Sequence, residues 1–144
     1  MTQQQLKDGT KKFAIQTILA LRKLPKNTET EVISKQLIKS STSVAANYRA
    51  TCRAKSKADF INKVKIVEEE SDEWCFWMEV ITELDSSQLK NFNPLLKEAG
   101  ELTAIFTATG KTIRSTWNFI LIILNNENSD IEIFKKMPPP HFTI

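Results

Sequence analysis

The sequence predicts an all-α protein, an up-down-up-down antiparallel four-helix bundle. Glycine and proline are scarce, with 3 and 5 among 144 residues, so the chain encodes too few turns for a many-stranded sandwich or barrel. Apolar residues recur at spacings of three and four in four long segments, which is the period of a helix with one buried face. The length and the 41% hydrophobic content suit one domain with a single core. We expect the bundle to span residues 1–117 and a partly irregular tail to span residues 118–144.

The first helix is predicted over residues 7–24. Its apolar positions follow helical spacing: Phe13, Ile15, Ile18, Leu19, Leu21 and Leu24. Pro25 ends this helix because proline lacks the backbone N–H that a helix interior requires.

The second helix is predicted over residues 29–52. Thr28 and Glu31 fit a capping box, in which each side chain satisfies a free amide of the other residue. The middle of this helix, residues 40–46, is small and polar. Such residues let a neighbouring helix approach closely, so we expect close packing there.

The third helix is predicted over residues 57–84, with Ser56 as the N-cap. Its apolar row alternates spacings of four and three: Phe60, Val64, Val67, Ser71, Trp74, Met78 and Ile81. This pattern is typical of a helix packed in a bundle or coiled coil. Trp77 lies on another face beside Glu70 and Glu73. It either covers a neighbouring helix or lies at a subunit interface that receives basic residues from another chain.

The fourth helix is predicted over residues 94–115. Asn93 is the expected N-cap, and Pro94 occupies the first helical position, where proline is favoured. The polar run at residues 125–130 and the prolines at residues 138–140 predict the irregular tail.

The sequence gives no sign of a membrane or secreted protein. The longest apolar run, residues 119–124, is far shorter than the roughly 20 residues that span a bilayer. The residues after Met1 lack the pattern of a signal peptide. Cys52 and Cys75 make no disulfide framework. We therefore expect a cytoplasmic protein.

Residues suited to catalysis or metal binding are scarce. His141 is the single histidine and lies in the proline-rich tail, so one chain cannot assemble a histidine-based triad or metal cluster. The carboxylates of Glu69, Glu70 and Glu73 lack the Glu-x-x-His partners of helix-bundle di-metal sites. No glycine-rich phosphate loop is present. We expect no enzymatic activity, no metal and no cofactor.

Charge is strongly segregated along the chain. Residues 1–66 carry fourteen Lys and Arg against four Asp and Glu, a net charge of +10, and the remainder carries −7. The acids crowd between Val67 and Asp85. If the basic segment projects from one end of the bundle, that end forms an anion-binding surface.

The basic segment at residues 46–57 contains the candidate ligand-binding residues. Tyr48 is placed to stack a base while neighbouring cations bind phosphates, as in single-strand binders. The candidates for nucleic-acid binding are Tyr48, Arg49, Arg53, Lys55, Lys57 and Lys63.

An alternative interpretation pairs the arginines of this segment with carboxylates. The planar guanidinium of arginine grips a carboxylate with two hydrogen bonds, which suits pairs between helices or subunits. The candidates for such pairs are Arg49 and Arg53 with Glu69, Glu70 and Glu73.

Several of these residues carry a resemblance to a known family. The runs SKQL at residues 34–37, SVAANYRA at residues 43–50 and CRA at residues 52–54, followed by SKADF at residues 56–60, resemble the bacterial four-helix-bundle family of 23S rRNA intervening-sequence proteins. The run IVEEESDE at residues 66–73, followed by Trp77, resembles one branch of that family.

This resemblance implies a small cytosolic bundle that assembles into a ring, typically a homopentamer. Relatives in the family include the accessory protein of diversity-generating retroelements, a basic bundle that works with a reverse transcriptase and nucleic acid. The family has no established enzymatic activity. Two hypotheses follow: an accessory module that binds RNA or DNA, and a scaffold for protein interaction whose charges pair between subunits.

Overall fold

The computed structural model describes residues 2–127, without the side chains of residues 117 and 119–127. Within this range the chain forms four α-helices and no strand, which confirms the all-α prediction. The helices are α1 (Gln3–Leu21), α2 (Thr28–Thr51), α3 (Lys57–Leu84) and α4 (Leu89–Glu127), with a 3-10 turn at Ser86–Gln88. Residues 128–144, which include the predicted irregular tail and His141, lie outside the described residues.

The N-cap of α2 differs from the prediction, whereas that of α3 agrees with it. Asn27, one residue before the predicted cap, is the N-cap of α2. Its Oδ1 accepts from the backbone N–H of Thr30 at 2.8 Å, and the Thr30 hydroxyl oxygen accepts from the N–H of Asn27 at 3.1 Å. A capping box is thus present, but the predicted pair of Thr28 and Glu31 is wrong. Ser56 caps α3 as predicted, since its Oγ accepts from the N–H of Asp59 at 3.1 Å.

Helix α4 begins and ends beyond its predicted limits. The N–H of Ser87 donates to the Asp85 carboxylate at 3.0 Å and stabilises the 3-10 turn. This turn leads directly into Leu89, the first residue of α4. Pro94 therefore lies inside the helix, and the prediction of Asn93 as N-cap is wrong. Pro94 is the sixth residue of α4, beyond the first four whose N–H groups have no intrahelical acceptor, so its ring leaves the carbonyl oxygen of Lys90 without the usual donor. The helix continues to Glu127, well past the predicted end near residue 115.

The helices enclose one hydrophobic core. Consecutive helices contact each other, and α1 also contacts α4. Trp74 is fully buried, and its ring lies 4.9 Å from that of Phe13 in an edge-to-face arrangement. The predicted row of α3 is confirmed from Val64 onward, since Val64, Val67, Ser71, Trp74, Met78 and Ile81 are buried, whereas Phe60 at its start is half-buried. Each large apolar side chain buried in this way contributes about 1.5–3 kcal/mol.

Small polar residues let the helices approach as predicted for α2. Ser40 and Ser41 are fully buried. The hydroxyl of Ser40 donates to the Gln36 carbonyl oxygen at 2.9 Å and that of Ser41 to the Ile38 carbonyl oxygen at 3.2 Å. Burying these hydroxyls costs little because each has an acceptor on its own helix.

Among the described helices, none is both long enough and apolar enough to cross a bilayer.

Candidate nucleic-acid interface

The turn between α2 and α3 brings the predicted basic residues to one end of the helices. Backbone hydrogen bonds hold it: the N–H of Arg53 donates to the Ala50 carbonyl oxygen at 3.0 Å and that of Ala54 to the Thr51 carbonyl oxygen at 3.1 Å. The N–H of Lys55 donates to the Asp59 carboxylate at 3.0 Å. These bonds fix the backbone of the short turn, and so the points from which the side chains of Arg53 and Lys55 extend.

Tyr48 does not belong to this surface. Its side chain is 6% exposed and its ring lies 5.5 Å from that of Phe106 in the core. Burial raises the pKa of the Tyr48 phenol, and the neighbouring Cys52 raises it further. The prediction that Tyr48 stacks a base is wrong because the ring is covered by other helices. Its spacing from Leu37 and Val44, both buried, is the sequence signal for this position.

Arg49, the next residue, faces a different side of α2. It is exposed and lines a groove of about 570 Å³ between α1 and α2, together with Lys7 and Lys11. Sequence reasoning missed both lysines as site residues. Their position depends on how α1 lies against α2, which no local pattern in the sequence reveals.

The predicted ion pairs are not formed within the chain. Among the described residues, neither Arg49 nor Arg53 forms a salt bridge. Glu73 instead lies 3.9 Å from Lys39, and Glu69 lies 3.5 Å from Lys65.

The register of the helices explains this correction. Lys39, the partner of Glu73, precedes Arg49 by ten residues, a distance of about 15 Å along α2. Glu70 forms neither predicted pair, and its Oε2 is buried with no hydrogen-bond partner among the described residues. Pairing between subunits stays a prediction.

The lysines of this end differ in their surroundings. Lys55 is exposed. Lys57 is half-buried, and this burial lowers the pKa of its ammonium group. The ammonium group of Lys63 bonds the Asp59 carboxylate, which holds the pKa of Asp59 below its usual range with help from the N–H of Lys55.

Helix α4 adds two cations to the same end. A methyl group on Gly110 would lie 3.7 Å from Val64 Cγ1, so α4 passes the first turns of α3 at this point. Lys111 follows Gly110 directly, and Arg114 lies one helical turn after it, where its Nε donates to the Gly110 carbonyl oxygen at 3.2 Å. We call the following set the basic end: Lys7, Arg49, Arg53, Lys55, Lys57, Lys63, Lys111 and Arg114.

Trp77 is half-buried and packs against the core. Its indole Nε1 donates to Glu73 Oε1 at 3.3 Å, and its ring lies 5.1 Å from that of Phe76. Phe76 is 54% exposed. The indole therefore covers part of the core beside an exposed aromatic ring, and its role at a subunit interface stays a prediction.

The cysteines are free thiols that pack against the core. Burial raises the pKa of both thiols, and the nearby Asp72 raises that of Cys75 further. A raised pKa keeps a thiol protonated and weakly nucleophilic. No group of three or more His, Cys, Asp and Glu side chains that could hold a metal ion occurs in the described part of the chain.

Comparison with known proteins identifies the family. A sequence profile described as 23S rRNA-intervening sequence protein matches residues 3–108. The chain belongs to this family. None of the curated proteins matches it.

A solved structure supports the same family. The crystal structure, at 1.70 Å resolution, is of a protein of unknown function from the S23 ribosomal protein family of Bacteroides thetaiotaomicron. The two chains are 28% identical with a TM-score of 0.70, and the match covers 77% of this chain and 99% of the other. The 23S rRNA-intervening sequence family match ends at residue 108, so Lys111 and Arg114 of the basic end lie beyond it.

Proposed function

We propose that this member of the 23S rRNA-intervening sequence protein family is a non-enzymatic, homo-oligomeric protein of the cytoplasm that binds RNA or DNA through its basic end. The observation that carries the proposal is the gathering of cations from all four helices and the α2–α3 turn. Within the described chain, Arg49 at the end of α2 and Arg53 in the turn form no salt bridge with a carboxylate. Asp59, in the first turn of α3, is already engaged by Lys63. Exposed arginines without carboxylate partners favour contact with phosphates.

An up-down-up-down arrangement of the helices is part of this proposal. Contacts between α3 and α4 support it, because residue numbers rise along one helix as they fall along the other. Thr107 donates to Glu68 Oε1 at 2.6 Å, whereas Cys75 shares a surface cavity with Gly100 and Thr103. In this arrangement the end of α2, the beginning of α3 and the beginning of α1 meet at the basic end.

A ring of copies, with a pentamer expected from the family, would strengthen binding through multivalency. Each basic end presents a modest patch, and several patches around one axis act on the same ligand at high effective concentration. RNA is the first ligand to test because the family is named for sequences that interrupt 23S rRNA.

A protein-interaction scaffold is the second candidate function. The exposure of Phe76 among the carboxylates of α3 favours it, since large exposed aromatic rings are typical of contact surfaces between proteins. In this scaffold the charges of neighbouring copies pair with each other, and no nucleic acid is bound.

The two candidates are separated by a binding titration with mass measurement in parallel. Fluorescently labelled RNA and DNA oligonucleotides are titrated with the protein at 50 mM and 200 mM salt, and the oligomer mass is measured by sedimentation. We expect a dissociation constant that rises by orders of magnitude between the two conditions, because phosphate contacts release counterions. A stable oligomer that binds neither ligand at 50 mM salt would favour the scaffold.

A further inference from the structure

Helix α3 carries a row of acidic side chains centred on an aromatic ring. The row faces solvent at alternating spacings of three and four: Glu69, Asp72, Phe76, Glu79 and Glu83. Phe76 stands seven residues from each end of the row, about 10.5 Å along the helix. We call this set the acidic row. Its 54%-exposed phenyl ring is the apolar centre of an otherwise charged face.

The groove between α1 and α2 offers cations and an apolar lining. Lys7, Lys11 and Arg49 line one end of it together with Asp8. The lining between Arg49 and Thr42 is small and aliphatic: Ala14, Ile15, Ile18, Ala45 and Ala46. Lys35 lies on α2 beyond the groove, exposed and fourteen residues before Arg49, about 21 Å, which equals the separation of Glu69 and Glu83 on α3.

Part of the aliphatic surface beside this groove faces solvent. Ile15, which lines the groove, is 47% exposed, and Leu19, one helical turn later on α1, is 48% exposed. Exposed aliphatic side chains along an apolar groove, with cations at one end and Lys35 beyond the other, are typical of a surface that receives an amphipathic acidic helix.

We propose that the acidic row of one copy docks in the α1/α2 groove of a second copy, with Phe76 inserted among the alanines and isoleucines. One end of the acidic row then meets Lys7, Lys11 and Arg49, and the other end meets Lys35 beyond the groove. The inference rests on the self-association in the proposed function and names its interface. The buried phenyl ring anchors the contact, and the charges set its register.

This interface is heterologous because the two surfaces belong to different helices of the same chain. Each copy therefore offers its acidic row to one neighbour and its groove to another. Such head-to-tail contacts form a ring where the rotation closes. Arg49 lies within this interface, whereas Arg53 and Lys55 remain available to phosphates.

Two exposed positions test the interface without touching the core. Phe76→Asp removes the aromatic anchor and leaves the groove intact. Ala46→Glu places a like charge in the groove and leaves the acidic row intact. Leu89→Ala, at another exposed apolar position, is the matched control. Oligomer mass is measured by sedimentation velocity, and circular dichroism melting checks that every variant folds.

We expect Phe76→Asp and Ala46→Glu each to weaken self-association by about 30-fold or more, as hot-spot substitutions do. Each variant alone then sediments as a monomer, and an equimolar mixture of the two forms a 1:1 dimer through the one intact pair of surfaces. The control keeps the mass of the original protein.

Retention of the full mass by Phe76→Asp, or a mixture that stays monomeric, overturns the inference while leaving self-association intact. A dimer formed by either variant alone also overturns it, since that result requires a symmetric contact. If the unsubstituted protein itself is a monomer, self-association in the proposed function fails together with this interface, whereas nucleic-acid binding is judged by its own titration.

Discussion

Tyr48 and Arg49 are neighbours in sequence but serve different parts of the molecule. A helix turns by about 100° per residue, so two adjacent side chains diverge widely. Tyr48 continues the buried face of α2 and contacts Phe106, while Arg49 points into the α1/α2 groove. The cations around Tyr48 suggest a ligand, but its spacing from Val44 places it in the core. At this scale, helical period decides the position and local composition does not.

Removal of the Tyr48 ring should therefore affect folding. We expect Tyr48→Ala to lower the free energy of unfolding by about 3–5 kcal/mol, the range for deleting a buried aromatic side chain. The exposed Arg53→Ala should change it by no more than about 0.5 kcal/mol. Urea denaturation followed by circular dichroism measures both. A loss below about 1 kcal/mol for Tyr48→Ala would contradict its burial.

The two thiols should make stability fall at alkaline pH. Burial raises the pKa of Cys52 and Cys75 above the ordinary value of 9.0, so the folded state favours the protonated forms. Their contribution is fully present below pH 9 and is lost as pH rises through the raised values, because the unfolded thiols ionise first. Urea midpoints between pH 8 and pH 11 should fall less for the variant with both Cys52→Ala and Cys75→Ala. If the urea midpoints of the two proteins fall equally with pH, ionisation of the thiols is not the cause.

At the scale of the elements, the sequence predicts the four helices well and their ends less well. Apolar periodicity identifies α3 because burial of one face requires it. The start of α2 is ambiguous, since Asn27 and Thr28 are both residue types that cap helices. The extent of α4 is hidden because Pro94, a common first helical residue, lies within it. Caps depend on individual hydrogen bonds, whereas the helices depend on many side chains at once.

The start of α2 can be tested with adjacent substitutions. Asn27→Ala should destabilise the protein by about 1 kcal/mol, because it removes the oxygen that accepts from the Thr30 N–H at 2.8 Å. Thr28→Ala lies in the first turn and should have little effect. Chemical denaturation of both variants gives the comparison. A larger loss for Thr28→Ala would show that the helix begins one residue later.

At the scale of the whole molecule, the fold brings cations that are concentrated in the first half of the sequence to one end of the bundle. The α2–α3 turn gathers cations at the basic end. The opposite end contains the α1–α2 turn, where Leu24 and Ile33 share a cavity with Ile81 of α3. The segregation of charge is visible in the sequence, but the contributions of Lys7 and of α4 are not, because they depend on packing between helices.

The most direct measurement of the central claim compares charge reversals at the two ends. Arg53→Glu with Lys55→Glu reverses two exposed cations of the basic end, and Lys23→Glu with Lys26→Glu reverses two exposed cations of the opposite end. Fluorescence anisotropy with labelled RNA is recorded over a range of salt concentrations. Both variants carry the same net charge, so position is the only difference between them.

We predict that the basic-end variant binds RNA at least tenfold more weakly, with a slope of log K against log salt smaller by about 1.4 if both cations contact single-stranded phosphates. The opposite-end variant should retain nearly all affinity. Equal losses in the two variants would show that RNA responds to net charge alone and would contradict a binding surface at the basic end.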